Sequence, residues 1–203
     1  MSIVIFVRHG QSETNLNKVL SSSASGYPLT ALGISQAEAV ASELKRIPTP
    51  DHFFVSPILR ARQTAEVISK VIGSRPKIED RLIERGFGSF DGKKFESKEI
   101  MRAYTIQEIK SNYSKGMESW DSVKRRMGNF MEELPKGTIS LAVSHYDPIR
   151  AAVAVIDAGY DDDLMPNSDA PIPNSSITVI DVAARRVIEM GKSSIEGNLS
   201  PSK

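Results

Sequence analysis

IVIFVRHGQSETN, Ile3 to Asn15, sets an unbroken apolar run directly against an arginine and a histidine. Ile3 to Val7 is apolar throughout and β-branched at all but Phe6, the pattern of a strand covered on both faces in a parallel sheet. Arg8 and His9 follow without a spacer, so the strand delivers both at its carboxyl end. Ligands of open α/β sheets gather beyond those ends. A second run, TISLAV (Thr138 to Val143), is followed almost at once by His145.

The segments between and after these runs alternate. Thr30 can cap a helix in which Leu32, Ile34, Ala37, Val40, Ala41 and Leu44 recur at helical spacing up to Pro48. His52 to Val55 reads as a short strand. Ser56-Pro57 then supplies an N-cap and a first-turn proline for a helix reaching Ile72 and stopped by Gly73. Lys77 to Glu79 is a third short strand, and LIERGFGSFDGKKF is a glycine-punctuated loop. Ser97 to Asn112 has helical character, and Trp120 to Leu134 is a firmer helix. DPIRAAVAVIDAG reads as the next helix, with Asp147 as N-cap, Pro148 at N1 and Gly159 as stop. Asp161 to Asn174 is a loop by composition, while Ser176 to Val182 and Arg186 to Met190 alternate as hairpin strands at the sheet edge. The expected architecture is a single α/β domain over residues 1–192, a three-layer α-β-α fold with a mainly parallel central sheet and an antiparallel edge hairpin. Residues 193–203 are expected to be a frayed tail.

Bulk composition narrows the function. The 203 residues carry 26 Lys plus Arg against 25 Asp plus Glu, a net charge of +1, without the basic excess of a nucleic-acid binder. The absence of cysteine removes disulfides and thiolate metal sites. The apolar run before Arg8 is too short for a signal peptide or a membrane span, so a cytoplasmic protein with no membrane partner is expected.

Arg60, in SPILRARQTA, falls in the first turn of its helix and can also point toward the carboxyl edge, whereas Arg62 should face elsewhere. Two forked guanidiniums converging with two histidines suit a tetrahedral dianion such as phosphate. Each residue alone has a plainer reading. A strand-end histidine is often only hydrogen-bonded in place, Glu84 beside Arg85 fits a surface ion pair, and Arg125 and Arg126 fit a solvated helix face. A zinc site from His9, His52 and His145 is disfavoured, because His52 should begin its strand at the opposite end and Arg8 would repel a cation.

VRHGQSETN, YPLTALGISQA, VSPILRARQTA, IERGFGSFDG, GMESWDSVKRRM, VSHYDPIR and NSSITVIDV resemble, in order, the blocks of the histidine phosphatase superfamily, in its phosphoglycerate mutase-like branch. The resemblance covers residues 3–182. It implies that His9 is the nucleophile and carries a phosphohistidine, with Arg8, Arg60 and His145 holding the phosphoryl oxygens. By the same resemblance Asn15 donates a side-chain amide to that group. Glu84 protonates the leaving alkoxide, a role that asks for a raised pKa while neighbouring arginines pull the other way. No metal or other cofactor is implied. Two departures stand out: Gln11 where glutamate is frequent, and Tyr146-Asp147 where Gly-Gly or Gly-Asn often follows the second histidine. Asp147 is therefore either an N-cap or a second candidate acid.

The fate of the phosphohistidine separates two activities. Mutases of this resemblance carry a long insertion between the Glu84 block and the Trp120 helix, with basic residues for the rest of the substrate. Here that gap is short, with Lys93, Lys94 and Arg102 in it. Hydrolysis of a small phosphomonoester is the leading expectation. Phosphoglycerate mutase activity, primed by 2,3-diphosphoglycerate, is the alternative, and a non-catalytic phosphate binder comes last because no catalytic side chain is missing. The rim is expected to draw on Ser21, Ser22 and Ser23 as small donors and on Phe87, Phe90, Tyr104 and Tyr146 as apolar surface. A free edge strand near Ser176 to Val182 offers a route to a homodimer.

Overall fold

The computed structural model describes residues 1–94, 116–160 and 172–195. Six strands form one sheet: β1 (Ile3–Arg8), β2 (His52–Val55), β3 (Lys77–Ile78), β4 (Ile139–Ser144), β5 (Ile177–Asp181) and β6 (Arg186–Lys192), in the order β3-β2-β4-β1-β5-β6. The first four in that order run parallel, and β5 and β6 run antiparallel to their neighbours. Alternate residues of β1 split between two cores. Ile3, Ile5 and Val7 pack with α2 (Ala31–Leu44) and α3 (Leu59–Ile72), while Val4 and Phe6 pack with α4 (Trp120–Glu132) and α5 (Tyr146–Ile156). The three-layer α-β-α architecture follows from that double coverage.

Register explains why the sheet builds a site. Arg8 lies opposite Ser144 and Val55 opposite Val143, so the next residues, His9, His145 and Ser56, emerge together at one edge. His52, registered on Ser140, sits at the other end of β2. A short helix that periodicity did not reveal, α1 (Glu13–Asn17), follows β1. The RHG turn is pressed against the start of α2: a Cβ on Gly10 would overlap the Gly33 carbonyl, and one on Gly33 would overlap the Gln11 carbonyl. Only glycine at both positions permits that backbone contact. Thr30 caps α2 through Gly33 N–H, and its hydroxyl donates to the Gln11 side-chain oxygen at 2.9 Å.

Several expectations are corrected. Ser56 does not cap α3, which begins at Leu59 with Ile58 as N-cap. The Ser56 N–H instead extends the ladder to the Val143 carbonyl, and the Leu59 N–H is satisfied by the Ala24 carbonyl. Asp147 is not an N-cap either: His145 occupies that position, placing Asp147 inside the first turn of α5, and this helix stops at Ile156 rather than at Gly159. β5 is no free edge, because β1 and β6 flank it and all five residues are buried; the edge strand on that side is β6. Ile195 packs against the core on the α2 and α3 side, which anchors the first residues of the segment expected to fray. The expected helix at Ser97 to Asn112, with Tyr104 and Arg102, most of the Asp161 to Asn174 loop and the end of the tail lie outside the described residues. Among the described residues no helix is long and apolar enough to cross a membrane.

Candidate active site

A cleft of about 370 Å³ opens at the carboxyl edge of the parallel strands. Arg8, His9, Arg60 and Glu84 line it, with Asn15, Ser21, Tyr146 and Asp147 around them. These residues come from four separate stretches of chain, and the sheet register brings them to one place. The rings of His9 and His145 stand 5.1 Å apart between centroids, and both side chains are buried.

The His9 ring is held in one tautomer. Its Nδ1 lies 2.7 Å from the Gly10 carbonyl oxygen, which only accepts, so Nδ1 carries the proton. Nε2 is then the unprotonated nitrogen, and it accepts from Arg60 Nε at 3.1 Å. Burial, with the charges of Arg60 and Arg8 added, holds the His9 imidazole well below its ordinary pKa and keeps it neutral. His145 is lowered in the same way, by burial first and then by Arg60, His9 and Arg8. Its Nε2 is 2.8 Å from the Ser56 hydroxyl, so the serine read as a helix cap instead orients the second histidine.

The two guanidiniums are tethered by one edge each. Arg8 donates to the Ile172 carbonyl at 2.6 Å and lies 4.9 Å from the Tyr146 ring centre. Arg60 donates to the Ser21 carbonyl at 2.9 Å. Arg8 Nε, Arg60 Nη1 and His145 Nδ1 are buried with no partner among the described residues. Buried donors are ordinarily satisfied, and two unsatisfied guanidinium N–H groups at the cleft, beside a histidine nitrogen that donates in one tautomer, suit an anion.

Glu84 is buried and accepts the Arg85 N–H at 2.9 Å. Burial first, and the neighbouring Asp147 charge second, push its pKa up to about 7 against the pull of Arg60 and Arg8. It is not a surface pair with Arg85, whose guanidinium runs instead to the Glu118 carbonyl and toward the Trp120 ring. Asp147 pairs with Arg150 at 3.4 Å. Arg126 is not on a solvated face: it grips both oxygens of Glu118 at 3.0 and 3.1 Å, and Glu118 in turn receives the Gly86 N–H. That brace supports the loop bearing Glu84.

Ser22 is not among the residues that line the cleft, and its N–H and hydroxyl are held by Asp91. Ser21 does line it, and Gln11 lies back against Thr30. Lys93 stacks over Phe90, and neither Lys93 nor Lys94 reaches the lining. Sequence reasoning missed Thr14, Lys18 and Val19, which line the cleft alongside Leu20 and Phe87. The left-handed turn at Lys18 (φ 53°) brings that stretch over the site, and no pattern in the residues announces it. Among the described residues no three His, Cys, Asp or Glu side chains form a group fit to hold a metal.

Comparison with known proteins agrees with this geometry. The family model of the histidine phosphatase superfamily (branch 1) matches residues 4–190. A 2,3-bisphosphoglycerate-dependent phosphoglycerate mutase from Thermoplasma acidophilum is 34% identical over 194 residues, which cover 94% of this chain and 92% of that one. Two solved structures share the fold. The phosphoserine phosphatase of Entamoeba histolytica, in complex with 3-phosphoglyceric acid, gives a TM-score of 0.74 at 24% identity, covering 93% of this chain and 94% of that one. The phosphoglycerate mutase of Bacillus anthracis str. Sterne gives 0.75 at 23%, covering 95% and 93%.

Proposed function

Because the chain belongs to branch 1 of the histidine phosphatase superfamily, we propose that it hydrolyses a small phosphomonoester through a phosphohistidine on His9, without a metal. The observation that carries this reading is the set of unpartnered buried donors around a neutral histidine whose tautomer is fixed. His9 Nε2 attacks phosphorus in line, and the bond to the ester oxygen breaks. Glu84 gives its proton to the departing alkoxide. The Nδ1–H contact to the Gly10 carbonyl stabilises the positive charge that the imidazole acquires. Arg60, which donates to Nε2 in the free site, transfers that donation to a phosphoryl oxygen, joined by Arg8 and His145. In the second half Glu84 takes a proton from water, the hydroxide attacks phosphorus, the N–P bond breaks and inorganic phosphate leaves.

The described rim favours hydrolysis. Beyond Arg8 and Arg60 it carries one cation, Lys18, and Val19, Leu20 and Phe87 make much of the remainder apolar. A second reading, isomerisation of phosphoglycerates with a 2,3-diphosphoglycerate primer, is favoured by the Thermoplasma relative. That protein is matched over 92% of its length, so a short middle segment does not by itself separate the two activities. No nucleic-acid or membrane partner is required in either case, and a cytoplasmic setting fits both.

The deciding experiment incubates the protein with 3-phosphoglycerate, with and without primer, in the presence of a chelator, and follows 2-phosphoglycerate and free phosphate together. Free phosphate without isomerisation supports the hydrolase. Primer-dependent 2-phosphoglycerate with little phosphate establishes the mutase. Loss of activity on chelation overturns the metal-free mechanism. His9→Ala should abolish turnover and acid-labile phosphoryl labelling together, and a mutant that still turns over removes His9 as nucleophile.

A further inference from the structure

The segment that enters β5 lies across the carboxyl end of β1. Besides the Ile172 carbonyl that holds Arg8, the Ser175 N–H donates to the carbonyls of Arg8 and His9 at 3.0 and 3.2 Å. Asn174 sits at the centre of this crossing. Its Nδ2 donates to the His9 carbonyl at 3.0 Å and to Asn15 Oδ1 at 3.3 Å. Both partners are oxygens that only accept, so the orientation of the Asn174 amide is set by chemistry.

Asn15 is constrained in turn. Its Oδ1 receives the Ser12 N–H at 3.0 Å, the Ser12 hydroxyl at 3.1 Å and Asn174. An amide whose oxygen collects three donors must carry its NH2 on the other side, and Asn15 lines the cleft. The sign of that orientation matters. An NH2 facing the cleft donates to a phosphoryl oxygen, whereas a flipped amide would set an acceptor against an anion. Ser12 holds the Asn15 oxygen only from within the same turn. Asn174 ties it to the segment entering β5, 159 residues away in sequence, and to the backbone of His9.

We infer that Asn174 is a positioning residue of the phosphoryl site, holding the Asn15 carboxamide oxygen and the His9 carbonyl together so that the Asn15 NH2 faces the transferred group. The inference rests on the phosphoryl-transfer reading above. It assigns a role to the NSSITVIDV block beyond forming a strand.

The test is a double-mutant cycle read by binding of inorganic phosphate and of orthovanadate to the full-length protein, measured by calorimetry. Asn15→Ala and Asn174→Ala should each weaken binding about tenfold or more, the range for one hydrogen bond to a charged group. The double variant should bind within about twofold of Asn15→Ala, because Asn174 acts through Asn15. A purely structural role would not produce that coupling. Wild-type affinity in Asn174→Ala, or losses that multiply in the double variant, would overturn the inference. If Asn174→Ala does not fold, Asn174→Asp keeps the shape and turns an acceptor toward both oxygens; it should lose at least as much, and undiminished binding in it overturns the inference. Wild-type protein that binds phosphate yet releases none from p-nitrophenyl phosphate would defeat hydrolysis and leave the cycle decisive. Wild-type protein that binds neither anion defeats both.

Discussion

At the scale of single residues, the chemistry rests on two groups moved in opposite senses by the same burial. His9 is lowered and stays neutral, while Glu84 is raised to about 7 and so holds its proton in about half of the molecules at neutral pH. In the proposed mechanism a nucleophile and a proton donor can therefore coexist in one pH window. Activity on esters with poor leaving groups should fall about tenfold per pH unit above 7, as Glu84 ionises. Glu84→Gln should depress those esters far more than p-nitrophenyl phosphate, whose leaving group needs no proton, and equal losses would return Asp147 to the role of acid. The same shift makes a stability prediction. A carboxyl with a folded pKa of about 7, above the ordinary 4.5, contributes stability that is complete below about 4.5 and lost as pH rises through 7. Ionising it in the folded state costs about 3 kcal/mol. Glu84→Gln should thus melt higher than wild type at pH 8 and approach it at pH 5, and a difference independent of pH would show that Glu84 is not held protonated.

Within the elements, the position of His9 depends on how closely its turn meets α2. Gly10 and Gly33 touch backbone to backbone, and Thr30 ties the same two segments through Gln11. Gly33→Ala must push the turn away from α2. The expected result is destabilisation of about 1–3 kcal/mol, the usual range for overpacking, with a larger relative loss in kcat than in global stability. Thermal melts beside kinetics test this, and a variant with wild-type kcat would show that the turn tolerates displacement. Both mistaken caps have one physical cause. Ser56 and Asp147 have side chains that cap helices well, but Ser56 is drawn to His145 and Asp147 to Arg150 and the cleft. Local preference yielded to tertiary partners.

Across the whole molecule, the active centre is assembled from both halves of the chain and braced from the α4 side. Arg126, gripping Glu118, holds the loop on which Glu84 sits. The Glu118 side chain it pairs with is 21% exposed, so removing Arg126 leaves a partly buried carboxylate without its cation. Arg126→Ala should cost about 2 kcal/mol in stability and should slow poor leaving groups more than good ones, because its effect passes through the proton donor. Chemical denaturation and paired substrates read the two effects, and a loss equal for both substrates would confine Arg126 to folding. The β-strands, the parallel sense of the sheet with its antiparallel hairpin and the helices α2 to α5 were legible in the residues, since burial on both sides of a strand leaves an unbroken apolar run and helical burial leaves its period. The order of the strands was not, and Leu32 and Ile34, read on the apolar face of α2, are exposed. His9, Arg8, Arg60, Glu84 and His145 were legible as strand-end, first-turn or loop residues in the order of a known set of blocks. Lys18, Thr14 and Asn174 were not, because what makes them part of the site is the path of the backbone over the sheet edge, which leaves no periodic trace. By itself, then, the sequence determined the layers and the candidate reacting groups, whose identity is chemical and local. Only the tertiary structure decided the tautomer of His9, the proton on Glu84, the orientation of the Asn15 amide and the partners of Ser56, Asp147 and Arg126, because each depends on desolvation and on donors supplied from distant parts of the chain.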